Sequence, residues 1–326
     1  MLASKLGRKI AIFAVLMLLV AGGFVTSFSL RQQNSISINL PHDLGGPHSI
    51  DCQTTTSCLI VGENYLAKGG FIGEIGLRGQ TVGFEKLDGH IPNATALSCY
   101  AKNGCLVAFA ENNSSRELAQ FSPTTVSNSG VRFLSVPAQF QQVNAIYCRS
   151  NTSVCLVAGK AAGNYNFAFQ LISIKTFSFI GAPAIMSLPD IGGVYDISCD
   201  QSQKCLAIME NFDGTEGIVY EFTLSLNKNP DLTKLTFTNV NTPPANLLLA
   251  VSCAESSCII GGSDASSIHG LLITVNMNQP TFPYSILKLP KGQGPILAVG
   301  KAREVVVGGY PQFSNYGDVL ELSHPS

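Results

Sequence analysis

Short apolar runs alternate with polar and glycine-rich turns along most of the chain, and in five places two such runs carry a pair of cysteines. Each first run ends on a cysteine and each second run opens on one: 49–52 and 58–62, 96–99 and 105–108, 145–148 and 155–159, 196–199 and 205–208, 249–253 and 258–262. Runs of this length joined by a polar turn predict β-hairpins. Cys52, Cys99, Cys148, Cys199 and Cys253 follow one another at 47, 49, 51 and 54 residues, a period that matches the blades of a propeller.

After each hairpin, a third run (71–77, 117–121, 167–174, 218–224, 271–277) and a fourth (82–87, 131–136, 177–188, 235–240, 284–289) complete a four-strand unit. Several fourth runs close at Val136-Pro137, Leu188-Pro189 or Leu289-Pro290, where proline's missing donor ends a ladder. Such units fit a blade better than a helical solenoid. A sixth unit without cysteines follows, with runs 295–300, 304–309 and 318–322 and no room for a fourth strand. Residues 35–41 supply it from the other end, because their alternation and closing Leu40-Pro41 match the fourth strands. The expected fold is therefore all-β, a six-bladed propeller over 35–322 whose N-terminal strand closes the last blade and protects its edges. The blades span about 48–90, 94–138, 143–189, 194–243, 248–290, and 294–322 plus 35–41.

A disulfide across each hairpin fits the cysteine spacing: Cys52-Cys58, Cys99-Cys105, Cys148-Cys155, Cys199-Cys205 and Cys253-Cys258. Zinc is the competing explanation. It needs two pairs to converge and shorter gaps within each pair, whereas here four to six residues intervene. No Cys-x-x-Cys redox pair is present.

Ahead of the repeats, Lys5, Arg8 and Lys9 precede an uncharged run over 10–30 that Arg31 ends. Its 21 residues predict a signal anchor or signal peptide over 1–31, preceding the propeller as one transmembrane or signal helix. The basic flank places the propeller on the periplasmic or extracellular side, membrane-anchored through the helix. Val25 and Ser27 offer a cleavage site that would instead release it as a secreted protein.

The layout resembles exported bacterial β-propeller repeat proteins of the broad class that includes WD40-like and sialidase-like folds. The resemblance covers about 35–322 and rests on repeat layout. The chain departs from the familiar subclasses: it has no Trp, hence no Trp-Asp blade ending, and no Asp-box. The resemblance supports the fold and implies no enzyme class.

Composition narrows the partners. With 20 basic residues against 21 acidic and 13% charged, the chain has no broad positive field for nucleic acid. His42, His48, His90, His269 and His324 form no His-Glu-x-x-His motif, so neither a metal nor a catalytic residue is assigned, and no cofactor is expected. His42, Asp43 and His48 lie near the closure seam, and contact among them would still need a nucleophile or a metal before it suggested catalysis. Asp51 and Asp196 precede the first cysteine of their blades and place charge in the central channel if first strands line it. Asp51, Asp196, His42 and His48 are thus the candidate polar site. Gly62, Gly159, Gly261, Gly262, Gly308 and Gly309 follow apolar second runs, lack the Lys-Ser or Lys-Thr of a phosphate loop, and fit bends and tight packing. Phe167, Phe169, Phe177 and Phe179 alternate, which predicts a common core face. Four minimal sequons begin at Asn93, Asn112, Asn113 and Asn151.

The functional expectation is a non-catalytic binding or scaffold propeller, an accessory part of a cell-envelope or extracellular assembly, with a protein or glycan partner. The alternative is a hydrolase or lyase acting on a glycan or peptide through a propeller-face pocket.

Overall fold

The computed structural model describes residues 35–326 apart from 42–43, 53, 55, 65–68, 78–79, 87–92, 102–103, 112–113, 123–130, 151, 164–165, 213–216, 227–229, 280, 288, 302–304, 312–316 and 323–326. Six four-stranded antiparallel sheets make the propeller. Strand β1 (Ser35–Asn39) belongs to the last blade. Blade 1 holds β2 (Leu44–Asp51), β3 (Ser57–Asn64), β4 (Gly69–Gly76) and β5 (Gln80–Lys86). Blade 2 holds β6 (Asn93–Ala101), β7 (Gly104–Glu111), β8 (Ser114–Phe121) and β9 (Arg132–Ser135). Blade 3 holds β10 (Phe140–Cys148), β11 (Val154–Ala161), β12 (Phe167–Ser173) and β13 (Ser178–Met186). Blade 4 holds β14 (Ile191–Cys199), β15 (Lys204–Asn211), β16 (Gly217–Thr223) and β17 (Thr238–Asn239). Blade 5 holds β18 (Ala245–Ala254), β19 (Ser257–Asp264), β20 (Gly270–Asn276) and β21 (Tyr284–Leu287). Blade 6 joins β22 (Gln293–Lys301), β23 (Val305–Pro311) and β24 (Asp318–Leu322) to β1.

The first strand of each blade packs against the first strands of both neighbours, so β2, β6, β10, β14, β18 and β22 wall a central channel. Middle strands are covered on both faces, which explains their continuous apolar runs: Cys258, Ile259 and Ile260 are all buried. Six apolar clusters fill the six gaps between blades. The seam between blades 6 and 1 is typical, with Ile38, Leu44, Ile60, Phe71, Val306 and Val319 in one cluster. Closure is by pairing of β1 with β24, from Ser35 opposite Leu322 to Asn39 opposite Asp318.

Two expectations need correction. The first is the helix in front of the propeller. The run 10–30 lies outside the described residues, and among the described residues no helix is long and apolar enough to cross a membrane. The fold is thus a six-bladed propeller closed by its N-terminal strand. Anchoring through an N-terminal helix, and with it the membrane partner and the anchored periplasmic or extracellular location, is therefore not supported.

The second concerns blade 4 and the aromatic residues. The fourth strand there contracts to the two residues of β17, and a 3-10 turn at Leu232–Lys234, capped by Asp231, precedes it. Phe237 then packs on Phe167, Phe169, Phe222 and Tyr220 with ring centroids 5.2–6.4 Å apart. Phe167 and Phe169 face blade 4, whereas Phe177 and Phe179 lie in the cluster shared with blade 2. The β12–β13 turn, with Phe177 at a positive φ of 50°, sends the two pairs to opposite faces.

Candidate functional site

All five cysteine pairs are disulfide-bonded, with Cα–Cα separations of 3.9–4.4 Å. In blades 2 to 5 the two cysteines are direct register partners at the end of the first hairpin. These hairpins all surround one end of the channel, and Cys52, Cys99, Cys148, Cys199 and Cys253 line the cavity there. The cavity has a volume of about 940 Å³.

Its wall repeats with the blades. One residue before the first cysteine stand Asp51, Ser98, Tyr147, Ser198 and Ser252, with Gly300 at the matching place in β22. Three of these side chains bind the next blade. The Asp51 carboxylate accepts the Cys99 N–H at 2.7 Å, Ser98 Oγ accepts the Cys148 N–H at 3.0 Å, and Ser198 Oγ accepts the Cys253 N–H at 2.9 Å. Two residues deeper, Ser49 Oγ accepts the Leu97 N–H at 3.1 Å. Asp196, at this deeper level, accepts the Val251 N–H at 2.8 Å through one oxygen and the Ile197 N–H at 2.8 Å through the other. Asp51 and Asp196 therefore share a strand face but sit at different depths, on blades 1 and 4 of the ring.

Burial sets their charge. Desolvation pushes Asp51 up to about 6 and Asp196 up to about 7, against the opposing pull of the N–H bonds each accepts. At the rim, desolvation raises Tyr147 to about 12, while Arg149 pulls it down and Asp200 up. The Asp200 carboxylate is occupied by Ser202 Oγ at 2.7 Å and by the Lys204 N–H at 3.0 Å. Arg149 Nη2 reaches the Gln201 carbonyl at 3.5 Å, and Nη1 is covered without an acceptor among the described residues. The Gln201 N–H in turn donates to the Glu255 carbonyl at 3.3 Å, so the hairpin tips of blades 3, 4 and 5 are linked in series.

A second ring lies at the other end. Each first strand carries a β-bulge four residues before its first cysteine or, in β22, before Lys301. The bulged residues are His48, Thr95, Asn144, Tyr195, Leu249 and Leu297, and all six line a cavity of about 370 Å³ together with Gln142, Lys160 and Glu210. His48 also lines the larger cavity, so the two meet at this collar. Three collar side chains bind the next blade: His48 Nδ1 donates to the Ala94 carbonyl at 3.1 Å, Thr95 Oγ1 to Val143 at 2.9 Å and Asn144 Nδ2 to Val194 at 3.0 Å. Four of the second-strand glycines exist for these bulges. A Cβ on Gly62, Gly159, Gly262 or Gly309 would stand 2.0–2.5 Å from a carbonyl oxygen of the bulged strand.

Of the four residues marked in the sequence, Asp51, Asp196 and His48 line the channel, while His42 lies outside the described residues. The collar as a unit, Arg149, Lys160 and Glu210 were missed. The signal available for the collar was glycine inside apolar second strands, which marks a bulge in the partner strand.

One trio elsewhere has catalytic residue types. Asp264, Ser266 and His269 meet in an exposed loop, but Ser266 Oγ at 3.3 Å and the Asp264 carboxylate at 3.2 Å both contact the same His269 nitrogen, Nδ1. A nucleophilic triad needs the two ring nitrogens in separate roles. Among the described residues no group of three or more His, Cys, Asp or Glu side chains is placed to hold a metal ion.

Fold and site together define a six-bladed, disulfide-clamped β-propeller with a polar central channel. No family model matches the chain and no curated protein matches it. Among solved structures, Kuenenia stuttgartiensis hydrazine synthase is similar over 86% of this chain and 96% of that one, at a TM-score of 0.55 and 10% identity. A catalytically inactive virginiamycin B lyase from Staphylococcus aureus, solved with quinupristin, covers 89% of this chain and 100% of its own at 0.48 and 11%. The Dos1 propeller covers 85% of this chain and 68% of its own at 0.46 and 11%. At these identities the likeness extends to the propeller fold alone.

Proposed function

We propose that this chain is a non-catalytic binding propeller that receives a protein partner on the face bearing the disulfide-bonded hairpins. The observation that carries the reading is the construction of that mouth. Five clamped hairpins surround a concave polar cavity, and Asp51, Ser98, Asp196, Ser198 and Asp200 inside it are occupied in hydrogen bonds to the propeller itself. Groups fixed in this way make a preorganised surface, which lowers the ordering cost of association.

Crosslinking mass spectrometry in the source cells tests this. Links from Lys204 and its neighbours on the hairpin face to one recurring protein are expected, and they should disappear in Arg149→Glu but persist in Lys160→Glu on the opposite end. Links scattered evenly over both ends, or unaffected by Arg149→Glu, would overturn the reading; a recurring polysaccharide in place of a protein would replace the partner class.

One observation favours a second reading, a hydrolase or lyase. Asp51 and Asp196 have carboxyl groups shifted into the neutral range within one cavity. Glycan- or peptide-cleaving activity lost in both Asp51→Asn and Asp196→Asn, with the fold intact, would establish it.

A further inference from the structure

We infer that the collar of bulged residues is a binding site for a small zwitterion with an apolar body, of the size and chemistry of a free aliphatic α-amino acid. The site is at the opposite end of the channel from the proposed partner face and does not rest on that reading. Its cavity, about 370 Å³, falls within the roughly 300–1,000 Å³ span of small-molecule sites.

The collar is divided by chemistry. Blades 1 to 4 contribute His48, Thr95, Asn144 and Tyr195, and blades 5 and 6 contribute Leu249 and Leu297. Thr95 and Asn144 are turned to the backbone of the next blade. His48 gives its Nδ1 hydrogen to a carbonyl, so in the neutral ring Nε2 is left as an acceptor. Tyr195 is held in its protonated form, pushed up to about 12 by burial first and by the Glu210 charge second, and keeps a phenolic donor. Leu249 and Leu297 are only half-buried although they stand on innermost strands, because the bulge turns them into the channel. They leave apolar surface open to cover.

Two charges complete the arrangement. Lys160 on β11 and Glu210 on β15 both line the cavity and approach the same glycine: a Cβ on Gly193 would lie 3.2 Å from Glu210 Oε2 and 3.5 Å from Lys160 Cβ. Neither side chain has a hydrogen bond or an ion pair among the described residues, and they do not pair with each other within 4.0 Å. An open carboxylate and an open ammonium at one mouth match a ligand that carries both opposite charges. Glu210 would take its ammonium, and Lys160 with the Tyr195 hydroxyl of the neighbouring blade its carboxylate. The two leucines would take its aliphatic part.

Isothermal titration of the full-length chain with L-leucine tests the inference, against 4-methylpentanoate, which lacks the amine, and 3-methylbutylamine, which lacks the carboxylate. Leucine is expected to bind at least about tenfold more tightly than either, the worth of one charge-assisted contact. Glu210→Gln should bring leucine down to the level of the acid, and Lys160→Met to the level of the amine. Shifts of the His48 ring resonances on adding leucine to the unsubstituted protein give a readout that needs no variant. Equal binding of all three compounds, leucine binding that survives both substitutions, or no heat and no His48 shift up to about 10 mM leucine would overturn it. None of these outcomes bears on crosslinks at the hairpin face.

Discussion

Asp196 should make the propeller less stable as the solution becomes more basic. Its folded-state pKa is raised from 3.8 to about 7, and burial is the main cause. A carboxyl with a raised folded pKa binds its proton more tightly when folded. Its full contribution is therefore present below about pH 4 and is lost as pH rises through about 7. A shift of about 3 units corresponds to about 4 kcal/mol, of which about 3 kcal/mol falls between pH 5 and pH 9. Asp196→Asn removes the titration and keeps the size of the side chain. One oxygen can still accept the Val251 N–H, but the amide nitrogen then faces the Ile197 N–H and costs about 1–3 kcal/mol at every pH. Urea unfolding with disulfides intact, done in parallel on both proteins, isolates the pH-dependent part. The wild type is expected to lose about 3 kcal/mol relative to the variant from pH 5 to pH 9. A gap that stays constant, or one that moves in favour of the wild type as pH rises, would refute the assignment of a desolvated carboxyl at this position.

Two packing predictions can be checked by the same unfolding assay. Phe237→Ala should cost about 2–4 kcal/mol and expose the blade 3–blade 4 gap to protease, since four aromatic rings lose their shared neighbour; a loss below about 0.5 kcal/mol would mean the segment is not a plug. Gly262→Ala places a Cβ 2.0 Å from the Leu247 carbonyl oxygen and should cost at least about 1–3 kcal/mol, whereas Gly83→Ala, with open space around it, should change stability by no more than about 0.5 kcal/mol. Equal effects at the two glycines would remove the bulge argument.

How much of this was legible in the sequence follows from what sequence patterns encode. The blades were readable because period-two apolar runs, proline stops and paired cysteines repeat at nearly constant spacing, and the closing strand because 35–41 has the form of a fourth strand. Strand register is different. A bulge sets two residues of one strand against one of the next, so whether His48 or Leu249 points into the channel depends on the partner strand. The same limit applies to Asp51 and Asp196, which looked equivalent beside their cysteines but stand two residues apart in the repeat, one where most blades have serine or tyrosine and one where four have alanine. Phe177 and Phe179 were misplaced for another reason: alternation fixes a face only within one strand, and a turn separates them from Phe167 and Phe169.

The disulfides also have a narrower role than their number suggests. Every one closes within a blade, so none ties one blade to another or holds the ring shut. Closing so short a loop stabilises by about 2 kcal/mol in the chain-entropy model, and that stabilisation falls on a hairpin end. Cohesion between blades comes instead from the six apolar clusters and from side chains such as Asp51, Ser98, Asp196 and Ser198 that bond to the next backbone. From blade 6 to blade 1 that device is absent at the matching position, because Gly300 has no side chain and a Cβ there would lie 2.7 Å from Cys52 Sγ. Here the paired β1 and β24 take over the task. Ring closure is thus supplied without the cysteines, and what the five clamps add is rigidity at one rim of the channel. That is where a surface that must keep its shape to bind gains most from being fixed.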